Sequence, residues 1–237
     1  LKGRRQEIQR VLDEERLQVF AEVDVVENIA EGLINVAQAN GMAGLESNTV
    51  LIGWPKDAGR LAAFLVVMRK LEKLGKSMVI GRLNPKHIFQ RKGMKPTIHV
   101  WWGGLQRNGD LMLLLAHLLT QNPEWKDADI EIMSIASNDL MKSQTERYLA
   151  RLLPEIRIHA TPRVLVKPKE KSVIQLIQEE SRNARVVFFG LAEPEAGKEY
   201  DYATRLNEIA GNLQSVFFVK NSSLFMGDLL SEQDAEV

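Results

Sequence analysis

Short apolar runs rich in β-branched residues alternate along this chain with longer segments of helical periodicity. The runs at 49–54, 77–83 and 97–102 predict strands, and the first of them is compact and apolar, as in a strand buried on both faces. Between the first two runs, apolar residues recur with the spacing of one helix face, and these are Leu61, Phe64, Leu65, Met68 and Leu71. The alternation predicts an α/β protein with mostly parallel sheets covered by helices on both faces.

The same reading extends over the rest of the chain. Further strands or extended segments are predicted at 17–26, 129–135, 154–166, 185–191 and 214–220. Helices are predicted at 27–41, 57–73, 110–120, 138–153, 172–183 and 199–211, with Asp57 and Asn138 as caps. Trp101 and Trp102 alternate in direction along their strand, so we expect both to pack under helices.

The cycle of strands and helices breaks at 84–96, a segment with two prolines, a glycine and four basic residues. Such residues favour turns and connectors over regular structure. We therefore predict two α/β units, 1–90 and 91–237, each with its own sheet.

Composition excludes several classes of function. Lys plus Arg equals Asp plus Glu, at 31 each, so the basic excess typical of nucleic-acid binders is missing and no nucleic-acid partner is expected. Without cysteine the chain can form no disulfide, thiolate nucleophile or cysteine metal site. The four histidines are far apart and lack the spacing of a metal motif. We therefore expect no metal and no cofactor.

The apolar run from Leu111 to Leu119 could be taken for a membrane segment. A helix that spans a bilayer needs roughly 20 consecutive apolar residues. This run is about half as long, contains His117, and is preceded by Asp110. It predicts a buried helix of a globular domain.

The loop before that helix is the best place for a ligand. Gly103, Gly104 and Asn108 lie between a strand and a helix, where backbone N–H groups can bind a phosphate. Their spacing is not that of a dinucleotide-binding fingerprint, and Asp110 at the helix start would repel a phosphate. Two interpretations remain: a nucleotide loop formed by these three residues, or a tight connection capped by Asn108 or Asp110. We expect nucleotide binding to be weak or absent.

Catalysis has no recognisable sequence signature here. There is no nucleophile-elbow motif, and the spacing favours no pairing of a serine with a histidine. Because no set of nucleophile, base and orienting group can be assigned, we predict that the protein is not an enzyme.

Both ends of the chain carry possible contact surfaces. Leu224, Phe225 and Met226 follow the last predicted strand, where an exposed apolar cluster would be unusual in a monomer. They predict either a dimer interface or a segment that folds back on the second unit. The basic start, with Arg4, Arg5 and Arg10, predicts a solvated helix or a segment that faces anionic lipid beside a membrane.

Several motifs together resemble one protein family. They are "NTVLIGWP" (48–55), "IHVWWGGLQRNGDLMLLLAHLL" (98–119) and the W-K-x-x-x-I-x-I pattern at 125–132. The chain resembles the C-terminal cytosolic domain of cation–chloride cotransporters over most of its length from about residue 20. "GLINVAQANGMAGLES" before the first motif, "ARVVFFGLAEP" (184–194) and "FFVK" (217–220) extend the match.

The resemblance implies more than the periodicity does. It implies two tandem universal-stress-protein-like, Rossmann-like units that serve as a non-catalytic regulatory and dimerisation domain of a secondary active cotransporter. The implied partners are a second copy, giving a homodimer, and the protein's own transmembrane transport domain, at the cytoplasmic face of the plasma membrane. The basic start would then lie just past the last membrane helix. A nucleotide-sensing module of the stress-protein type that regulates a transporter is the alternative.

The chain departs from the family at two places. His99 stands where relatives usually have Asp, and "RNGD" (107–110) replaces an Asp-Gly-Gly turn. In addition, only "KPKEK" (167–171) occupies the place of the long charged segment in animal relatives. The short form suggests a prokaryotic relative, nearer the potassium–chloride branch, and the resemblance does not carry over the phosphorylation control of such a segment.

Overall fold

The structure is a computed structural model that describes residues 2–39, 47–55, 57–84, 95–103, 108–156 and 158–222. The helices in these ranges are α1 (Lys2–Glu14), α2 (Ile29–Ala39), α3 (Ala58–Lys73), α4 (Asn108–Thr120), α5 (Asp139–Ile156), α6 (Val173–Glu180) and α7 (Glu199–Ala210). The strands are β1 (Thr49–Gly53), β2 (Ser77–Arg82), β3 (Thr97–Trp101), β4 (Asp129–Ala136), β5 (Thr161–Val166), β6 (Val186–Gly190) and β7 (Val216–Lys220).

The seven strands form one sheet in the order β1-β2-β7-β6-β3-β4-β5. Every neighbouring pair is parallel except β2 and β7, which run antiparallel with Ile80 opposite Phe218. This confirms the predicted α/β class with a mostly parallel, Rossmann-like sheet.

The prediction of a separate sheet for each unit is wrong, because β7 at the end of the chain pairs with β2 from its first third. The pairing satisfies the backbone groups along one side of β2 that would otherwise form an open edge. Most of the predicted connector, 85–94, lies outside the described residues. The division into 1–90 and 91–237 stays a prediction about the organisation of the chain.

Helices cover both faces of the sheet and enclose two apolar cores. The first face packs against α2, α3, α6 and α7, and the second against α4 and α5. Trp101 belongs to the first core and Trp102 to the second, each with 7% of its surface exposed, so the predicted packing of both rings is confirmed. The apolar run 111–119 lies within α4, and no helix in the described ranges is long and apolar enough to cross a membrane.

Local capping follows the sequence closely. The backbone N–H of Arg60 donates to Asp57 at 2.8 Å, and that of Met141 donates to Asn138 at 2.9 Å. Both predicted caps are therefore confirmed. They satisfy N–H groups that a helix start leaves without an intrahelical partner.

One predicted strand is not found, and one predicted extended segment is found only in its second half. Residues 17–26 form no strand, and the Phe20 side chain is fully exposed. An alternating apolar pattern becomes a strand only when a neighbouring strand supplies hydrogen bonds, and within the described ranges no strand of the sheet pairs with this segment. At 154–166, the chain stays helical through Pro154 to Ile156, and β5 begins only at Thr161.

Candidate functional site

Asn108 occupies the edge of the sheet where parallel strands end. It begins α4 shortly after β3, and only 4% of its surface is exposed. Its Nδ2 donates to the carbonyl oxygen of Leu191 at 2.8 Å, and its Oδ1 accepts from the backbone N–H of Asn221 at 2.8 Å. Leu191 directly follows β6 and Asn221 directly follows β7, so one amide ties the start of α4 to the ends of two strands.

Close packing surrounds this amide. A Cβ atom built on Gly109 would lie 2.0 Å from the Trp102 ring, and one on Gly190 would lie 3.1 Å from Nδ2 of Asn108. The helix start can therefore approach the sheet only because these positions lack side chains. The place where open α/β sheets usually bind ligands is filled here, around Asn108, by the chain's own groups.

The three predicted nucleotide-loop residues do not share one environment. Asn108 has its amide engaged within the chain, Gly103 is exposed with open space around it, and Gly104 lies outside the described residues. Asn108 starts α4, as the capping interpretation expects, but its side chain bonds to strand ends. The nucleotide loop stays a prediction.

A second polar cluster lies toward the opposite edge, on the first face of the sheet. His99 on β3 is only 4% exposed, and its Nδ1 lies 3.0 Å from Oγ of Ser181, directly after α6. Nε1 of Trp101 donates to the same Oγ at 2.8 Å. The hydroxyl of Ser181 thus joins two neighbouring side chains on one face of β3.

Glu131 and Arg163 continue the cluster toward solvent. Oε2 of Glu131 on β4 lies 3.5 Å from Nε2 of His99 and 3.5 Å from Nη1 of Arg163 on β5. Nη2 of Arg163 in turn lies 2.6 Å from Oε2 of Glu180 at the end of α6. These contacts border a depression of about 330 Å³, which is lined by Thr97, His99, Glu131, Arg163, Glu179, Glu180, Asn183 and Ala184.

The surroundings set the charge of His99. Burial lowers the pKa of its imidazole, since the charged form loses its hydration, and the nearby Arg163 lowers it further. The Glu131 carboxylate acts in the opposite direction without overcoming the burial. His99 is therefore neutral at pH 7 and takes up a proton at a lower pH than an unperturbed imidazole does.

Ser181, His99 and Glu131 touch one another in the order of nucleophile, base and orienting carboxylate. Catalysis needs a nucleophile that a substrate can reach. Ser181 is completely buried, and its Oγ already accepts from Trp101. The cluster therefore offers no accessible nucleophile. Spacing could not reveal it, because His99 and Ser181 are 82 residues apart in the sequence.

No group of three or more metal-binding side chains gathers anywhere in the described part of the chain. The predicted interface residues Leu224, Phe225 and Met226 lie outside that part. Arg4, Arg5 and Arg10 are exposed on α1, where Arg10 lies 3.7 Å from Glu14, so the helix carries both signs of charge. The interface and the lipid contact stay predictions.

Comparisons with known proteins agree with the predicted family. The cytoplasmic domain of a prokaryotic cation chloride cotransporter has a similar fold, with a TM-score of 0.65 and 22% identity over 91% of this chain and 78% of that one. A universal stress protein from Archaeoglobus fulgidus DSM 4304 is also similar, with a TM-score of 0.51 and 13% identity over 92% and 77%. The family model of solute carrier family 12 matches residues 67–197, more than half of the chain. The chain therefore belongs to solute carrier family 12.

Proposed function

We propose that this chain is a non-catalytic, cytosolic regulatory and dimerisation domain of a secondary active cation–chloride cotransporter, placed at the cytoplasmic face of the plasma membrane. The family match carries the proposal, because residues 67–197 include five of the seven strands, from β2 next to one end of the sheet to β5 at the other. The fold shared with a cotransporter's cytoplasmic domain supports the same role.

The polar clusters support a role without chemistry. At one edge of the sheet the amide of Asn108 holds strand ends together, and at the other the hydroxyl of Ser181 is buried between two side chains. Groups used in this way stabilise and connect elements of the fold. Such connections suit a domain that transmits conformational changes to a partner.

Exposed apolar side chains support self-association. Phe20 is fully exposed and Val25 is 78% exposed within 17–26. Exposed apolar groups that lie together can mark a contact surface between proteins, and the sequence predicts a further apolar cluster at 224–226. Twofold pairing is the commonest way in which such surfaces are covered.

Sedimentation of the whole chain over a wide range of concentrations tests the dimer. We expect a concentration-dependent dimer that Phe20→Asp or Phe225→Asp weakens. The matched control is Tyr200→Asp on α7, whose side chain is 60% exposed. A monomer at every concentration would contradict dimerisation, and a dimer weakened by one of the two phenylalanine variants alone would locate the interface.

The link to transport is tested on the full gene product. We expect its coding sequence to contain many apolar spans before the segment that encodes this domain, and its chloride-dependent cation flux to change when Gly109→Val disrupts the start of α4. Gly53→Val is the control, because a Cβ at Gly53 would meet open space and the residue belongs to no candidate site. A gene product without membrane spans would refute the proposal.

A nucleotide-sensing module is the second candidate. The fold similarity to a stress protein favours it, as does the exposed Gly103 close before the start of α4. Calorimetry with ATP separates the two candidates. We expect no measurable binding, whereas micromolar affinity that Gly103→Val removes would favour the sensing role.

A further inference from the structure

We infer that His99 and Ser181 form a proton-operated link between α6 and the strands β3–β5. A proton added to His99 reverses its hydrogen bond with Ser181 and transfers the Glu131 carboxylate from Arg163 to His99. The inference concerns regulation within this fold, goes beyond the proposed function and does not depend on it.

The reversal follows from the hydrogen-bonding capacity of one hydroxyl. Ser181 Oγ has one hydrogen and two lone pairs, and the Trp101 indole, which can only donate, occupies one lone pair at 2.8 Å. Of the two neutral tautomers of His99, the Glu131 carboxylate favours the one that carries its hydrogen on Nε2. In that tautomer Nδ1 accepts from the Ser181 hydroxyl, 3.0 Å away.

Protonation makes both ring nitrogens donors. Ser181 Oγ then accepts from Trp101 and from His99 at once, so both lone pairs are used and its own hydrogen must turn away from the ring. Because Ser181 directly follows α6, this change acts on the end of that helix. The buried indole of Trp101 reports it, since its hydrogen bond goes to the same oxygen.

The same proton changes the outer contacts. One oxygen of Glu131 lies 3.5 Å from both His99 and Arg163, so the two cations compete for it. A charged imidazole attracts this carboxylate and repels the guanidinium. Arg163 keeps its contact with Glu180 at 2.6 Å, which draws it toward the end of α6.

The charged groups around neutral His99 carry a net negative charge that one proton on His99 would balance. Glu131 on β4, Arg163 on β5 and Glu179 and Glu180 on α6 line the depression with it, and Lys171 pairs with Glu179. Three carboxylates thus face two cations while His99 is neutral, and protonation balances them. The depression is open to solvent at its mouth, where the Arg163 side chain is about half exposed, so exchange needs no unfolding.

Nitrogen-detected NMR of the whole chain, labelled with ¹⁵N-histidine and titrated from pH 8 to pH 5, tests the link. We expect His99 to carry its hydrogen on Nε2 at high pH and to titrate below the unperturbed histidine value of about 6.5. The Trp101 indole N–H signal should shift with the midpoint of His99. A hydrogen on Nδ1 at high pH, or an indole signal that ignores the His99 titration, would overturn the inference.

Variants test each half of the link. Ser181→Ala should leave His99 titrating but abolish the response of Trp101. Glu131→Gln should move the His99 midpoint to lower pH, because an attractive charge is lost, and Arg163→Gln should move it to higher pH. Arg60→Gln, on the remote and exposed part of α3, is the control and should leave the midpoint unchanged.

The test does not depend on the folding of every variant. Glu131 and Arg163 are partly exposed, so their substitutions test the competition even if Ser181→Ala does not fold. A higher His99 midpoint in Glu131→Gln or a lower one in Arg163→Gln would refute the transfer of the Glu131 carboxylate. An equally large shift of the His99 midpoint in Arg60→Gln would refute it as well.

Discussion

Asn108, beyond the carboxyl end of β3, and His99, on the first face of the sheet, differ in the kind of contacts that they make. Beyond the end, Asn108 has both amide atoms bonded to backbone groups and lies in a closely packed junction. Along the face, His99 is just as buried, yet its contacts are with the Ser181 hydroxyl and the Glu131 carboxylate, beside an open depression. The amide of Asn108 has both of its polar atoms bonded to backbone, while we infer that the hydrogen bonds of His99 change with a single proton.

The difference shows that position in a fold does not by itself make a site. The carboxyl edge is where an α/β sheet usually binds a ligand, but an amide bonded to backbone has no alternative arrangement there. The histidine cluster has two arrangements, because a hydroxyl and a carboxylate can each change partner. A responsive element needs such bistability more than it needs a favoured location.

Gly109→Ala, in the closely packed junction around Asn108, should cause the largest loss of stability. The added methyl group would overlap the rigid Trp102 ring, and we expect unfolding stability to fall by about 3 kcal/mol, as overpacked cores do. Guanidinium denaturation measures this change. The control is Gly103→Ala, which meets open space and should change stability by no more than about 0.5 kcal/mol. Equal effects of the two variants would contradict the packing.

Asn108→Ala should cause the second-largest loss of stability. It leaves the Leu191 carbonyl and the Asn221 N–H without the bonds that the amide supplies, and we expect a loss of about 2 kcal/mol. Asn122→Ala is the matched control, because its side chain accepts one hydrogen bond in an exposed turn and should cost only about 0.5 kcal/mol. A cost for Asn108→Ala no greater than for Asn122→Ala would show that the junction does not depend on the amide.

His99→Gln should give a smaller effect that depends on pH. Burial holds the folded-state pKa of His99 below its unfolded value of about 6.5. The unfolded chain therefore binds more protons, and the stability from neutral His99 is present above about pH 6.5 and lost as pH falls through the folded pKa. Denaturation curves between pH 7.5 and pH 5 should show a shallower decline for His99→Gln than for the wild type.

The control for this series is His159→Gln, which replaces an exposed histidine and should keep the wild-type decline. The slope from one proton is at most about 1.4 kcal/mol per pH unit. A decline that His99→Gln leaves unchanged would assign the pH dependence to other groups.

Local features of the fold could be predicted from the sequence because local patterns determine them. The cap at Asp57 and the opposite burial of Trp101 and Trp102 follow from residue type and strand alternation. The single sheet could not be predicted in this way, since the pairing of β2 with β7 joins segments about 140 residues apart and has no local signature. The pattern at 17–26 suggested a strand because alternation does not tell whether a partner strand is present.

The candidate sites show the same limit. Asn108 was noticed from its place after a strand, but its partners Leu191 and Asn221 come from distant strands. The sequence also marked His99, as a departure from the family, and gave no reason to connect it with Ser181. Only the parallel order of the strands and the return of α6 bring those side chains together.

The contrast between the two regions is tested most directly by backbone amide NMR of the whole chain between pH 8 and pH 5. We predict that the amide signals of Ser181, Glu180 and Arg163 move with the midpoint of His99, while those of Leu191 and Asn221 at the packed junction do not follow it. Equal movement in both regions, or movement at the junction alone, would contradict the account.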